Sequence, residues 1–282
     1  MAVVFALCSA VAYGLSDFVG GLLSRRTSAW AVAVVGQASS TVVTAALALV
    51  VPGTPRPVDF AWALLAGVGA GTGTGFLYRG FSSGRMSVVA PVSAVGAALV
   101  PALVGAVTGE RPTLLVWAGV VAALPGIWLV ASTPEDPMQA GEPRESVAAG
   151  LVDGILAGLG FGVLFAALGQ VPDGAGWWPL TFSQGVSVAA VALLAVVLRA
   201  EWRPQGRTVR LAALCGPLGA TATGTFLLAT HHGFLTVAGV LASLYPASTV
   251  LLAAVVLKEH VHRAQGVGLA LCGLAVAFVA AG

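Results

Sequence analysis

The chain alternates between apolar stretches of about 20 residues and short polar punctuation, and a helix of about that length is needed to cross roughly 30 Å of hydrocarbon. The stretches run from Val3 to Leu23, Trp30 to Val51, Phe60 to Tyr78, Met86 to Thr108, Leu114 to Ala131, Val147 to Leu168, Trp177 to Leu198, Leu211 to Thr230, Phe234 to Leu257 and Ala264 to Ala281. Turn-forming runs separate them, among them Pro52-Gly53-Thr54-Pro55, Ser82-Ser83-Gly84, Gly109-Glu110-Arg111-Pro112 and Arg203-Pro204-Gln205-Gly206. The longest polar run, Thr133 to Ser146, divides the chain in half. The pattern predicts an all-α membrane protein with a five-helix unit over 1–132, a linker over 133–146 and a second five-helix unit over 147–282.

The two units repeat. An offset of 149 residues places Thr72 on Thr221, Thr74 on Thr223, Gly75 on Gly224, Gly84 on Gly233, Glu110 on Glu259 and Gly119 on Gly268, without a gap. An offset of 147 places Trp30, Gln37 and Ser40 on Trp177, Gln184 and Ser187, and one of 148 places Tyr13-Gly14 on Phe161-Gly162. Because each unit has an odd number of spans, the second must enter the membrane from the opposite side, which gives an inverted repeat of the kind many secondary transporters use.

Composition supports the membrane reading: of 282 residues 58% are hydrophobic and 9% charged, where a soluble domain carries about 25% charged residues. The formal net charge of +2, with basic residues scattered in short loops, excludes nucleic acid as a partner. Cys8, Cys215 and Cys272 lie in apolar stretches without paired spacing or a nearby ligand cluster, so they are expected to pack, and no metal or cofactor is implied. Without a basic segment before it or a small-residue cleavage site after it, the first stretch is expected to be a retained helix. Trp30, Trp62, Trp117, Trp177, Trp178 and Trp202 fall near span ends, as Trp128 nearly does, and are expected at headgroup level. Arg25, Arg26, Arg79, Arg85, Arg144, Arg199, Arg203, Arg207, Arg210, Lys258 and Arg263 flank the odd-numbered loops, leaving only Arg56 and Arg111 for the others. The positive-inside rule therefore puts both termini outside.

Gly109-Glu110-Arg111-Pro112 followed by Gly119, and Tyr245-Pro246-Ala247-Ser248-Thr249 leading to Lys258-Glu259 and Gly266-x-Gly268, resemble the fourth-to-fifth-helix signature of the EamA domain in the drug/metabolite transporter superfamily. Tyr13-Gly14 and Phe161-Gly162 resemble that domain's first-helix pattern, so the resemblance covers almost the whole chain. It implies a transporter, since members are mostly exporters of amino acids, other metabolites or toxic compounds, often driven by proton exchange, although some sugar and nucleotide-sugar carriers share the fold. It also implies a cavity between the repeats, lined by spans one, three, four, six, eight and nine. One departure is that Pro246 has Ala97 as its counterpart while Pro91 matches Val240, so the two fourth helices are expected to bend at different depths.

Two of the eleven carboxylates, Asp17 and Asp153, fall well inside a span and on the same side of the membrane. A carboxylate at that depth costs about 2.5 to 3.5 kcal/mol on insertion scales, so it has a partner or a task. Asp17 reads as a proton carrier, as the counter-ion of a substrate ammonium, or as a structural partner of Arg79; Asp153 reads as a second pathway acid or as a snorkelling side chain. Tyr13 lies one turn before Asp17 on the same face, with Phe161 and Phe165 in the corresponding places of the sixth span. Thr72, Thr74, Thr221 and Thr223 flank glycines in both copies and either line the cavity or bond to their own helices. Tyr245 in the ninth-span motif completes the candidate pathway. Gln37 with Ser40 and Gln184 with Ser187 are expected to bond between helices. His231 and His232 are expected to be a surface pair, and Gly69-Ala70-Gly71-Thr72-Gly73, with no strand before it, is no phosphate loop.

The expectation is an alternating-access carrier in the plasma membrane, not an enzyme, monomeric or homodimeric, exporting a small amino-acid-like metabolite or drug in exchange for protons. Facilitated uptake or exchange of a neutral solute is the alternative within transport, and a membrane scaffold the alternative outside it. A lipid-acting enzyme would require a nucleophile, base or metal ligands at one depth, which the sequence does not supply.

Overall fold

The structure is a computed structural model that describes residues 1–83, 86–131, 144–256 and 262–282. The described residues form helices and connecting turns, with no strand among them. Among the described residues ten helical spans are long and apolar enough to cross a membrane. In order they are α1 (Ala2–Ser24), α2 (Ala29–Val50), α3 (Pro57–Ser82), α4 (Met86–Val107), α5 (Leu114–Ala131), α6 (Arg144–Leu168) and α7 (Trp178–Val197), then α8 (Gly206–Leu211) with α9 (Cys215–His231), α10 (Leu235–Ala242) with α11 (Tyr245–Val256), and α12 (Arg263–Ala281). Most of the expected linker, and the Lys258-Glu259 pair, lie outside the described residues. Helices are favoured because hydrocarbon satisfies no backbone polar group, so each span must bond to itself. Their outer surfaces carry exposed Val11, Val42, Leu49, Leu103, Val121 and Leu159, the apolar coat that lipid requires.

The eighth and ninth spans are each broken. Between α8 and α9 a 3₁₀ turn, Ala212–Leu214, precedes Pro217 in the first turn of α9. Between α10 and α11 the ladder tightens to three-residue bonds, Leu244 N–H to Leu241 O at 3.2 Å and Ala247 N–H to Leu244 O at 2.9 Å. Pro246 has no N–H to continue the four-residue ladder, and its ring disfavours the helical conformation of the residue before it. The first-copy equivalent, α4, runs through Pro91 and Pro101 without a break, so the two fourth helices do differ.

The repeats pack as related pairs: α3 on α6 and α9 on α1; α4 on α6 and α10 with α11 on α1; α5 on α12 and α2 on α7. Small residues let these backbones meet. A Cβ added to Gly158 would lie 2.9 Å from the carbonyl oxygen of Ser93 and 3.1 Å from the Cα of Gly96. Trp30 and Trp177 correct the headgroup expectation. Trp30 is buried and sits against Gly75 and, edge-on at 5.9 Å, Phe76; Trp177 covers Gly224. The missing side chains open equivalent slots that the indoles fill, whereas Trp62, Trp128 and Trp178 remain exposed.

Glu110 ties the repeats together at the face that carries the termini. Gly109, at φ 93°, ends the fourth span's extension, and Glu110 N–H bonds back to Gly105 O at 2.9 Å in a Schellman closure. The Glu110 carboxylate then caps α10 of the other repeat. One oxygen accepts from the Leu235 N–H, and the other accepts from the Thr236 N–H at 2.9 Å and the Thr236 hydroxyl at 2.6 Å.

Two outcomes follow from this packing. Gly158→Leu must force α6 and α4 apart and should destabilise the protein by about 1 to 3 kcal/mol or more, while Leu159→Ala on the exposed face should leave thermal stability in detergent nearly unchanged; equal melting curves for both would contradict the packing. Glu110→Ala leaves two helix N–H groups and a hydroxyl unpaired and should cost about 1 to 2 kcal/mol, a loss that Thr236→Val should reproduce only in part.

Candidate functional site

A cavity of about 40 Å³ lies between the repeats, lined by α1, α2 and α3 from the first and by α6, α7 and α9 from the second. Spans two and seven therefore stand where four and nine were expected. Spans four and nine meet behind Tyr13: the Tyr245 ring on α11 lies 6.4 Å from the Tyr13 ring, and its hydroxyl bonds to that of Ser93 on α4 at 3.2 Å.

Much of the lining comes in repeat-related pairs. Gln37 donates its amide N–H to the Thr74 hydroxyl at 3.1 Å, and Gln184 donates to the Thr223 hydroxyl at 2.9 Å. Tyr13 and Phe161 form a second pair of walls. Thr72 and Thr221 turn away, bonding to Val68 O and Pro217 O at 2.8 Å. Residues two apart on a helix point about 200° apart, so only one threonine of each pair can face the centre.

Off this shared frame the cavity is asymmetric. Ser16, Asp17, Tyr78 and Cys215 extend it toward the face where α1 ends. The repeat counterparts of the last three, Phe165, Leu227 and Ala66, are fully buried and apolar on the termini side. Phe165 stacks on Phe226 at 4.5 Å and meets the Tyr13 ring edge-on at 5.6 Å, so this half is filled with rings. Loop contacts seal the same face: the Thr54 N–H bonds to Gly174 O at 2.9 Å, and His231 reaches Val171 O at 2.9 Å and the Asp173 carboxylate at 3.1 Å.

Asp17 is 8% exposed, lines the cavity, and has no hydrogen-bond or ion-pair partner among the described residues. Arg79 does not reach it. Its Nε donates to Asp153 at 2.9 Å, a second guanidinium N–H bonds to the same oxygen, and the guanidinium carbon lies 4.4 Å over the Phe76 ring. Asp153, 1% exposed, is thus a buried partner linking α6 to α3, neither snorkelling nor in the cavity wall. The structure brings Tyr13, Asp17, Thr74, Phe161 and Thr223 together, places Phe165 and Tyr245 directly behind them, and leaves Thr72, Asp153 and Thr221 outside. Sequence reasoning gave Gln37, Ser40, Gln184, Tyr78 and Cys215 no place in the lining, although the in-phase glutamines and serines were a usable signal. The hydroxyls of Tyr13, Ser40 and Ser187 are buried without partners among the described residues.

If Arg79 belongs to Asp153, a double-mutant cycle of Arg79→Gln with Asp153→Asn should show a coupling of at least about 1 kcal/mol, and Arg79→Gln with Asp17→Asn should be additive within about 0.5 kcal/mol. Thermal or denaturant unfolding of the purified variants reads both; the reverse ordering would reassign the pair.

The sequence profile of the EamA-like transporter family matches residues 1–132 and 147–281. No curated protein matches the chain. Among solved structures, 18 chains match. One, titled "Crystal structure of protein", superposes with a TM-score of 0.66 over 99% of this chain and 98% of that one at 16% identity, a likeness of fold.

Proposed function

We propose that this chain, which belongs to the EamA-like transporter family of the drug/metabolite transporter superfamily, exports a small organic solute across the plasma membrane in exchange for protons. Transport by alternating access needs a site that both faces can reach in turn, and the inter-repeat cavity on the repeats' shared frame suits that role. At about 40 Å³ it is far smaller than the roughly 300 Å³ or more of an organic ligand site, so loading requires the repeats to move apart. The seals on the termini face and the polar extension on the other support a state closed toward the termini. The eleven-to-two partition of basic residues supports a cytoplasmic position for the other face.

The observation that carries the proton is Asp17, a cavity carboxylate without a balancing cation among the described residues and replaced by Phe165 in the second copy. A group that occurs once in a twice-repeated frame is poorly explained by the packing of that frame. The titratable groups facing it are Tyr13 on its own helix, Tyr78 on α3, Cys215 on α9 and Tyr245 on α11.

Proteoliposomes with an entrapped pH dye, screened against mixed solutes, test this reading. A transported solute should accumulate only under a proton gradient and should move protons the opposite way. Asp17→Asn should lose gradient-driven accumulation while downhill exchange survives in part. A stable Asn variant with unchanged rate and pH dependence contradicts the proposal, and transport without proton flux would instead favour a passive carrier of a neutral solute.

A further inference from the structure

We infer that the solute is an organic ammonium ion lacking a carboxylate, its charged head held by Asp17; this rests on the carrier reading above and names its substrate class. Among the described residues Asp17 is the one carboxylate in the lining, and no lining side chain is cationic. Arg79, at the end of α3 on the same side, is paired with Asp153. The other polar groups are neutral and leave acceptor positions open. The amide nitrogens of Gln37 and Gln184 donate to Thr74 and Thr223, their carbonyl oxygens receive no hydrogen bond among the described residues, and the Tyr13 and Ser40 hydroxyls are unpartnered.

Each alternative ligand class meets a specific penalty. A carboxylate or phosphate would meet the like charge of Asp17, with only neutral donors and no cation in the lining to pair it. A zwitterionic amino acid could place its ammonium on Asp17, but its carboxylate would find neutral donors only and no cation in the lining. A neutral solute would leave Asp17 to be neutralised by a proton and would gain nothing from its charge. An ammonium supplies three or fewer N–H donors and the missing charge together, and the Tyr13, Phe161 and Tyr78 rings that share the wall with Asp17 offer π faces to a cation and an apolar surface to its body.

The test is a charge series on fixed bodies, measured by calorimetric titration and thermal shift on the purified full-length protein in detergent. Phenethylamine and n-butylamine are compared with 2-phenylethanol and n-butanol, with phenylacetate and butyrate, and with phenylalanine and norleucine. The amines should bind at least tenfold more tightly than every other member with the same body. Asp17→Asn, once its unliganded melting shows it folded, should bring the amines down to the level of the alcohols. Should that variant not fold, the wild-type series decides alone. Amino acids or carboxylates that match the amines, amines that do not bind, or a folded Asn variant with undiminished amine affinity each overturn the inference. Any of these can occur while the liposomes still show proton-coupled movement of another solute, so the failure of this inference is distinct from failure of the carrier reading.

Discussion

Where α3 crosses α6, the carbonyl of Gly160 lies where a side chain on Gly69 would have to go, and α1 meets α9 closely enough for the Ser9 hydroxyl to bond to Ala222 O at 2.8 Å. Lipid provides no hydrophobic force between helices, so close approach, with the dispersion and hydrogen bonds it allows, is what joins the two repeats. The rest depends on that contact. The equivalent slots for Trp30 and Trp177, the place of α4 and α11 behind Tyr13, and the central cavity all follow from how near the backbones come. The cavity is the place where larger polar side chains interrupt this close packing.

Within the cavity, symmetry and its violation divide the work. The Gln–Thr bridges repeat because the scaffold repeats, and each stitches neighbouring helices of its own copy. Asp17, Tyr78 and Cys215 have apolar, buried counterparts, so the same frame is polar and hollow on one side and packed with rings on the other. Exchanging which side is packed and which is hollow is the motion that an inverted repeat makes available without a new fold. Glu110 belongs to the packed side: it is part of the first repeat's signature loop, yet it completes a helix in the second.

The ten spans and the repeat were legible because both depend on local composition and on register within the chain. Tyr13 and Asp17, one turn apart, were legible as a shared face for the same reason, and helical geometry alone could have shown that Thr72 and Thr74, or Thr221 and Thr223, do not both face the centre. The choice of Arg79 between two acids at the same depth was not, since depth follows from sequence while azimuth follows from packing. Nor was the role of Glu110, whose partners lie 125 and 126 residues away. Trp30 looked like an interfacial anchor by position, and only the facing glycine, on another helix, makes it a buried filler.

The central claim is that the repeats move against each other to close and open the termini face around the cavity. A reversible lock tests it most directly. Thr54 and Gly174, in loops of opposite repeats on the termini face, are joined by a backbone hydrogen bond of 2.9 Å. With Thr54→Cys and Gly174→Cys oxidised in proteoliposomes, the account predicts that transport stops and that reduction restores it, while ligand still binds from the opposite face. Transport at the unlinked rate with the disulfide intact would contradict the account.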